Sequence, residues 1–181
     1  MSEKKSIDNL SLANRVNELN NIYDLHNTFG ANAYKAIHKY YMNSGYSKGI
    51  ERITKLLKED KFSVLDFGKN PIKVISDFLH GYFIDRGGNL PEVWTENNTV
   101  FLKTEYCKYC VTIEAEKTAK NCHEDVCAIY CRAFAQGLLS IFTDIFPGII
   151  INFYNQSSQR QGKEIDCVEA FQVIIPASDL R

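Results

Sequence analysis

The 181-residue chain lacks the features that mark membrane and nucleic-acid-binding proteins. No apolar run approaches the ~20 residues of a membrane span, and 21 basic and 22 acidic residues, mixed along the chain, give a formal net charge of −1. Lys4 and Lys5 are followed by Asp8 and Asn9 rather than by an apolar run, so no signal peptide is predicted. We expect a soluble, cytoplasmic protein that binds neither nucleic acid nor membranes, because no strong field would attract a phosphate backbone or an anionic surface.

The sequence also lacks the common catalytic fingerprints. It has no phosphate-binding P-loop, no dinucleotide fingerprint, no HExxH motif and no Ser-His-Asp order. Internal repeats, low-complexity tracts and Pro/Gly/Ser-rich linkers are missing as well. Apolar residues nevertheless make up 45% of the chain and aromatic residues 12%, which is ordinary for a globular protein. A single domain over 1–181 is predicted, since domains usually hold roughly 100–200 residues.

The period of the apolar residues changes near Gly87-Gly88, and this change predicts the fold. Before it, apolar residues recur at intervals of three and four, which is typical of amphipathic helices. The expected helices are one over 11–27, one after Gly30, one around 50–57 and one from Pro71 towards Gly81. The N-terminal half is therefore predicted to be mostly helical.

After Gly88 the pattern favours strands and one long helix. The expected strands are 93–96, 99–107, 149–154 and 165–175, with the long helix over 123–142. Regular alternation of strands and helices is lacking, which argues against a parallel sheet. We predict an α+β fold in which N-terminal helices precede an antiparallel sheet that is interrupted by one long helix.

The six cysteines all lie in the C-terminal half, and three interpretations of them remain open. They are Cys107, Cys110, Cys122, Cys127, Cys131 and Cys167. In the first interpretation each is a small buried apolar residue. In the second, Cys107, Cys110, Cys127 and Cys131 form a tetrathiolate site, because two closely spaced pairs supply four soft ligands for zinc or iron. In the third, one thiol is ionised and acts as a nucleophile. Cys122 is a candidate, because the first turn of a helix favours the thiolate.

The metal interpretation predicts a measurable composition. Protein purified without metal-affinity tags should contain stoichiometric zinc or iron in elemental analysis, and thiols bound to metal should react slowly with a thiol reagent. Six freely reactive thiols in the native protein would contradict both a metal site and a buried structural role.

Several stretches of the sequence resemble a known family. They are Val100–Cys107, the run Cys127-Ala-Ile-Tyr-Cys131, the run from Gly162 through Cys167 to Phe171, and the glycine-spaced stretch Gly30–Gly49. Together they resemble the L-2-amino-thiazoline-4-carboxylic acid hydrolase family over about residues 30–175. The same layout is similar to the 4-vinyl-reductase and hydrocarbon-binding domains, which share a trafficking-type α+β fold.

The first resemblance implies cysteine-dependent hydrolysis of a small thiazoline-, amidine- or amide-like substrate. It implies a site lined by Cys107, Cys131 and Cys167. Family members usually carry an acidic residue two or three positions after the helical cysteine, where this chain has Ala133 and Phe134. Two glutamates, Glu105 and Glu164, are the candidate proton carriers in its place, since the departing nitrogen must gain a proton.

The second resemblance implies a non-catalytic, small-molecule-binding or sensory module. Its pocket would lie between the long helix and the sheet and would hold an apolar or aromatic ligand. Its expected lining is Tyr106, Phe134, Leu138 and Phe171. Residues 1–29 precede the resemblance, and the apolar stripe of 11–27 has no obvious partner within the chain. We therefore expect this N-terminal helical extension to mediate a homodimer.

Overall fold

The computed structural model of the chain describes residues 9–86, 90–104, 128–157 and 166–175. Its first four helices are α1 (Asn9–Phe29), α2 (Ala31–Lys58), α3 (Val64–Lys69) and α4 (Pro71–Arg86). They are followed by β1 (Glu92–Glu96), β2 (Thr99–Thr104), a π-helical turn (Ala128–Arg132), α5 (Ala133–Ile145), β3 (Ile150–Ser157) and β4 (Cys167–Ile174). Among the helices of these residues, none is long and apolar enough to cross a membrane.

The predicted α+β fold is confirmed. The four strands form one sheet in the order β1-β2-β4-β3, and every neighbouring pair is antiparallel. Asn97 and Asn98 form the turn between β1 and β2, and Asn97 has a φ of 53°. Asparagine tolerates this left-handed conformation better than most residues, which suits it to a tight hairpin turn.

The helical half differs from the prediction in three details. The second and third predicted helices form one continuous helix, α2. Gly45 and Gly49 lie within this helix and do not interrupt it. The short helix α3 was not predicted; its N-cap is Ser63, whose side chain accepts a hydrogen bond from the backbone N–H of Asp66. Helix α4 continues through Gly81 to Arg86.

The predicted long helix is confirmed in its second half. The structure describes a π-helical turn at Ala128–Arg132, which leads directly into α5. Helix α5 ends at Ile145. Residues 123–127 lie outside the described residues, as does the end of the strand predicted to reach residue 107. A π-helical turn holds one more residue than an α-helical turn and often occurs at a functional site.

The core lies between the sheet and α5, with α2, α3 and α4 around it. Phe142 of α5 is fully buried and is flanked by Phe67 at 5.1 Å and Phe78 at 5.0 Å between ring centroids. The sheet contributes Val100 and Phe171, both of which are fully buried. Full burial of a large apolar side chain contributes about 1.5–3 kcal/mol, so these residues are a main source of the stability of the fold.

Helix α1 has a partner within the chain, which corrects the expectation that its apolar stripe lacks one. Leu19 is fully buried and Ile22 is 3% exposed, and both pack with Ile129 and Tyr130 of the π-helical turn. Sequence reasoning missed this contact because the two segments are more than a hundred residues apart. The homodimer stays a prediction.

Helices α2 and α5 cross at backbone contact distance. A Cβ atom at Gly45 would collide with the carbonyl oxygen of Phe134, and one at Gly137 would collide with the carbonyl oxygen of Met42. At Gly49, a Cβ atom would lie 2.6 Å from the carbonyl oxygen of Leu138. Each collision is with backbone rather than with the end of a flexible side chain. The crossing therefore requires glycine on both helices.

Replacing Gly45 by alanine should destabilise the protein by about 3 kcal/mol, because the helices must separate and the core packing around α5 is lost. The matched control is Gly68→Ala, at a helical position where an added Cβ meets nothing within 4 Å. The control should be neutral or stabilising by about 0.5–1 kcal/mol, as alanine is favoured over glycine in helices. Urea unfolding of both variants measures the difference, and equal midpoints would show that the crossing is not tightly packed.

Candidate functional site

Strand β4 presents a cysteine and a carboxylate on one face of the sheet. Alternate residues of a strand point to the same side, so Cys167 and Glu169 share the face of Phe171 and Val173, which pack in the core beneath α5. Cys167 is 8% exposed. The two polar residues therefore lie at the end of the core, on the helix-covered face.

The neighbouring strands complete the surroundings of Glu169. β4 lies between β2 and β3, and Glu169 is paired with Leu102 of β2 and with Asn155 of β3. The amide nitrogen of Asn155 donates to the carbonyl oxygens of Ser157 at 2.8 Å and Val168 at 3.2 Å. These bonds hold the Asn155 side chain where the β3–β4 register is irregular, between Asn155 and Ser157. An irregularity of this kind, a β-bulge, often redirects a side chain beside a functional site.

Arg132 reaches Glu169 from the π-helical turn. Its Nε lies 3.4 Å from Oε1 of Glu169, and the two side chains are only 21% and 16% exposed. An ion pair in this partly desolvated position interacts more strongly than one on the surface. The contact ties the π-helical turn to β4, one of the two inner strands of the sheet.

The environment of Glu169 favours the protonated carboxyl group. Burial raises the pKa of Glu169 and is the largest effect, and the neighbouring Cys167 acts in the same direction. The charge of Arg132 and the polar side chains of Asn155 and Arg132 lower it, but they do not cancel the effect of burial. Among the described residues, Oε2 of Glu169 is buried and has no hydrogen-bond partner. A partly buried carboxyl with one buried, unpartnered oxygen and a raised pKa is suited to holding and releasing a proton.

The structure places the predicted site residues in different environments. Cys131 is exposed at the π-helical turn, next to Arg132, whereas Cys167 is buried. Leu138 and Phe171 are packed in the core, and Phe134 is half-buried at the start of α5. The others lie outside the described residues: Glu105, Tyr106, Cys107, Cys110, Cys127 and Glu164. The convergence of the three cysteines and the tetrathiolate site stay predictions, and the described residues contain no group of three or more His, Cys, Asp or Glu that could hold a metal ion.

Sequence reasoning missed Glu169 and Arg132. Glu169 could have been identified from the sequence, because a strand was predicted over 165–175. The two-residue period of a strand places Glu169 on the same face as Cys167. Arg132 could not have been identified from the sequence, because its contact with Glu169 depends on the π-helical turn and on the packing of α5 against the sheet. No sequence pattern specifies either of these.

Comparison of the chain with protein-family models, with curated proteins and with solved structures finds no match. The resemblance to the thiazoline hydrolase family is therefore a prediction, and the site is interpreted from its own geometry.

The raised pKa of Glu169 predicts a pH-dependent stability. The folded chain binds this proton more tightly than the unfolded chain, so the stabilisation is fully present below the unfolded pKa, near 4.5, and is lost as pH rises through the folded pKa. The variant Glu169→Gln should flatten this part of the profile when urea midpoints are measured between pH ~4 and ~8.

The control is Glu51→Gln, which removes a carboxylate whose side chain is 63% exposed and should leave the slope unchanged. Identical profiles for the wild type and Glu169→Gln would show that this carboxyl is ordinarily ionised in the folded protein.

Proposed function

We propose that the protein is a cysteine-dependent hydrolase that cleaves a C–N bond in a small thiazoline-, amidine- or amide-like substrate. Cys167 is the nucleophile and Glu169 is the proton carrier. The observation that supports this assignment is the partly buried carboxyl of Glu169, with its raised pKa, two residues from a buried cysteine on the same face of β4.

The proposed reaction has two stages. In the first, the Cys167 sulfur attacks the electrophilic carbon while Glu169, as the carboxylate, accepts the thiol proton directly or through one water. Glu169 then donates that proton to the departing nitrogen, the C–N bond breaks and a thioester or thioimidate remains on the sulfur. In the second, water attacks this intermediate, and the thiol is regenerated through the same carboxyl group. One water is consumed for each bond cleaved.

This cycle needs a carboxyl that exists in both protonation states, and its surroundings support that. Burial raises the pKa of Glu169 and so favours its protonated form, whereas the positive charge of Arg132 stabilises the carboxylate. Arg132 is therefore a positioning residue that also keeps the base form accessible. General acid–base catalysis is most efficient when the catalytic pKa lies near the working pH. Glu169 is proposed for the task that the sequence assigned to Glu105 and Glu164.

A second candidate function, a non-catalytic small-molecule-binding module, is supported by a separate cleft. The cleft has a volume of about 470 Å³ and lies between α2, α4 and the start of α5, within the range of ligand pockets. Phe134 forms one wall beside Tyr82, and the guanidinium carbon of Arg86 lies 5.9 Å from the centroid of the Phe134 ring. Among the predicted lining residues that the structure describes, Phe134 lines this cleft, whereas Leu138 and Phe171 are packed in the core.

The hydrolase proposal predicts that turnover depends on both residues of β4. Purified protein is assayed for ring opening or ammonia release on a panel of 2-aminothiazoline carboxylates, amidines and primary amides. Replacing Glu169 by glutamine should lower kcat about 10²- to 10⁴-fold, the usual contribution of a general acid–base. The variants Cys167→Ser and Cys167→Ala should both abolish turnover, because serine is not readily ionised at neutral pH.

The control variant, Glu51→Gln, should retain full activity, and circular dichroism should show that all the variants are folded. Turnover that survives both Cys167 substitutions would refute the assignment of the nucleophile. A wild-type protein that turns over none of these substrates, yet binds an aromatic ligand at the Phe134 cleft, would favour the binding module.

A further inference from the structure

The Phe134 cleft, between α2, α4 and the start of α5, has a basic lining. Of the described residues that border it, four are basic and two are acidic, so four positive charges less two negative ones give the lining a net formal charge of +2. The whole chain has a net formal charge of −1. The basic residues are Lys48, Arg52, Lys55 and Arg86. A concave surface with an excess of one sign of charge attracts ligands of the opposite sign, which here are anions.

Ion pairs within the lining do not cancel this excess. Lys48 is balanced by Glu51, whose carboxylate oxygen lies 2.6 Å from its Nζ. Asp85 is shared by two cations, since Arg52 and Lys55 approach the same carboxylate oxygen at 2.7 Å and 2.9 Å. Two cations beside one carboxylate leave one positive charge in excess.

Arg86 supplies the second excess charge. In the described part of the chain, no carboxylate forms an ion pair with it. Its Nη1 lies 3.5 Å from the hydroxyl oxygen of Tyr82, and its guanidinium carbon lies 5.9 Å from the centroid of the Phe134 ring. A guanidinium has five N–H donors and can donate two parallel hydrogen bonds to one carboxylate. Arg86 is therefore suited to hold the carboxylate of a ligand.

Arg52 has a fixed position between α2 and α4. Its side chain is 10% exposed, and its Nε donates to the carbonyl oxygen of Phe78 at 3.1 Å. A Cβ atom at position 81 would collide with this guanidinium, so Gly81 leaves the room that it occupies. Because Arg52 is already ordered, a ligand that binds beside it need not immobilise it.

Two aromatic rings give the cleft an apolar wall. The ring centroids of Tyr82 and Phe134 lie 6.2 Å apart, with their planes inclined by 43°. A further aromatic ring can pack against such a pair in an offset or edge-to-face arrangement. From the excess positive charge beside this wall, we propose that the Phe134 cleft binds a small aromatic carboxylate. The proposal rests on the second candidate function, the binding module, and specifies the ligand class.

Benzoate, its neutral isostere acetophenone, and acetate separate the contribution of charge from that of the ring. Each is titrated into the full-length protein at neutral pH, and binding is followed by the NMR shifts of Tyr82 and Phe134. Benzoate should cause saturable shifts and bind about fivefold or more tightly than acetophenone, because its carboxylate forms ion pairs at a partly exposed site. Acetate should bind about tenfold or more weakly than benzoate, because it lacks the ring.

The outcomes of these titrations distinguish the ligand class from the binding module itself. Acetophenone that binds as tightly as benzoate would overturn the anionic class and leave the binding module supported. Acetate that binds as tightly as benzoate would indicate an adventitious ion only. No saturable shift with benzoate or with acetophenone would overturn the proposal and count against the binding module as well.

A matched pair of variants tests the role of Arg86. Arg86→Met should weaken benzoate binding about threefold to tenfold and leave acetophenone binding unchanged, since one ion pair is lost. The control is Lys73→Met, which removes the same charge from the same helix at a side chain that is 67% exposed and does not line the cleft. Both residues are exposed, so both variants should fold. Unchanged benzoate affinity in Arg86→Met, or an equal loss in Lys73→Met, would refute the assignment.

One further variant separates the cleft from the hydrolytic site. Neither Cys167 nor Glu169 lines the cleft, so Glu169→Gln should bind benzoate with the affinity of the wild type, whatever its effect on turnover. Loss of benzoate binding in this variant would show that the carboxylate is held at the β4 site instead, and would overturn the assignment to the Phe134 cleft.

Discussion

The backbone contact between α2 and α5 is the constraint on which the other packing depends. Gly45 and Gly137 allow the two helices to approach until a side chain on either would strike the backbone of the other. This proximity leaves α5 sandwiched between α2 and the sheet, so that Leu138 and Phe142 are buried. It also sets the position of the π-helical turn, and through it the contacts of Tyr130 with α1 and of Arg132 with β4.

The elements could be predicted from the sequence where the apolar period was clear. The strand-favouring segments after Gly88 predicted four strands, and proline at position 71 predicted the start of α4. The merging of two predicted helices into α2 could not be foreseen from local rules. Glycine usually weakens a helix, and α2 contains two glycines, Gly45 and Gly49. Their role emerges only when α5 lies against them. Tertiary contact, rather than local propensity, decides the structure there.

The candidate site was predictable only in part, for a similar reason. Cys167 and the strand that bears it were predicted, and the alternation of a strand makes Glu169 its neighbour on one face. The burial that raises the pKa of Glu169 depends on what covers the face, and that covering comes from the π-helical turn and α5, which lie 24 to 41 residues earlier in the chain. A sequence shows which residues are acidic, but it does not show which of them are removed from water.

The π-helical turn also limits how this chain can change in length. Consecutive residues of an α-helix are separated by about 100° around its axis, so deleting one residue between Tyr130 and Gly137 would rotate Tyr130 relative to Gly137. Either Tyr130 would leave the surface of α1, or Gly137 would turn away from Met42 and a larger neighbour would meet that backbone. A descendant of this sequence can therefore exchange side chains in the turn more readily than it can gain or lose a residue there, and alignments of related chains should be free of gaps between 128 and 137.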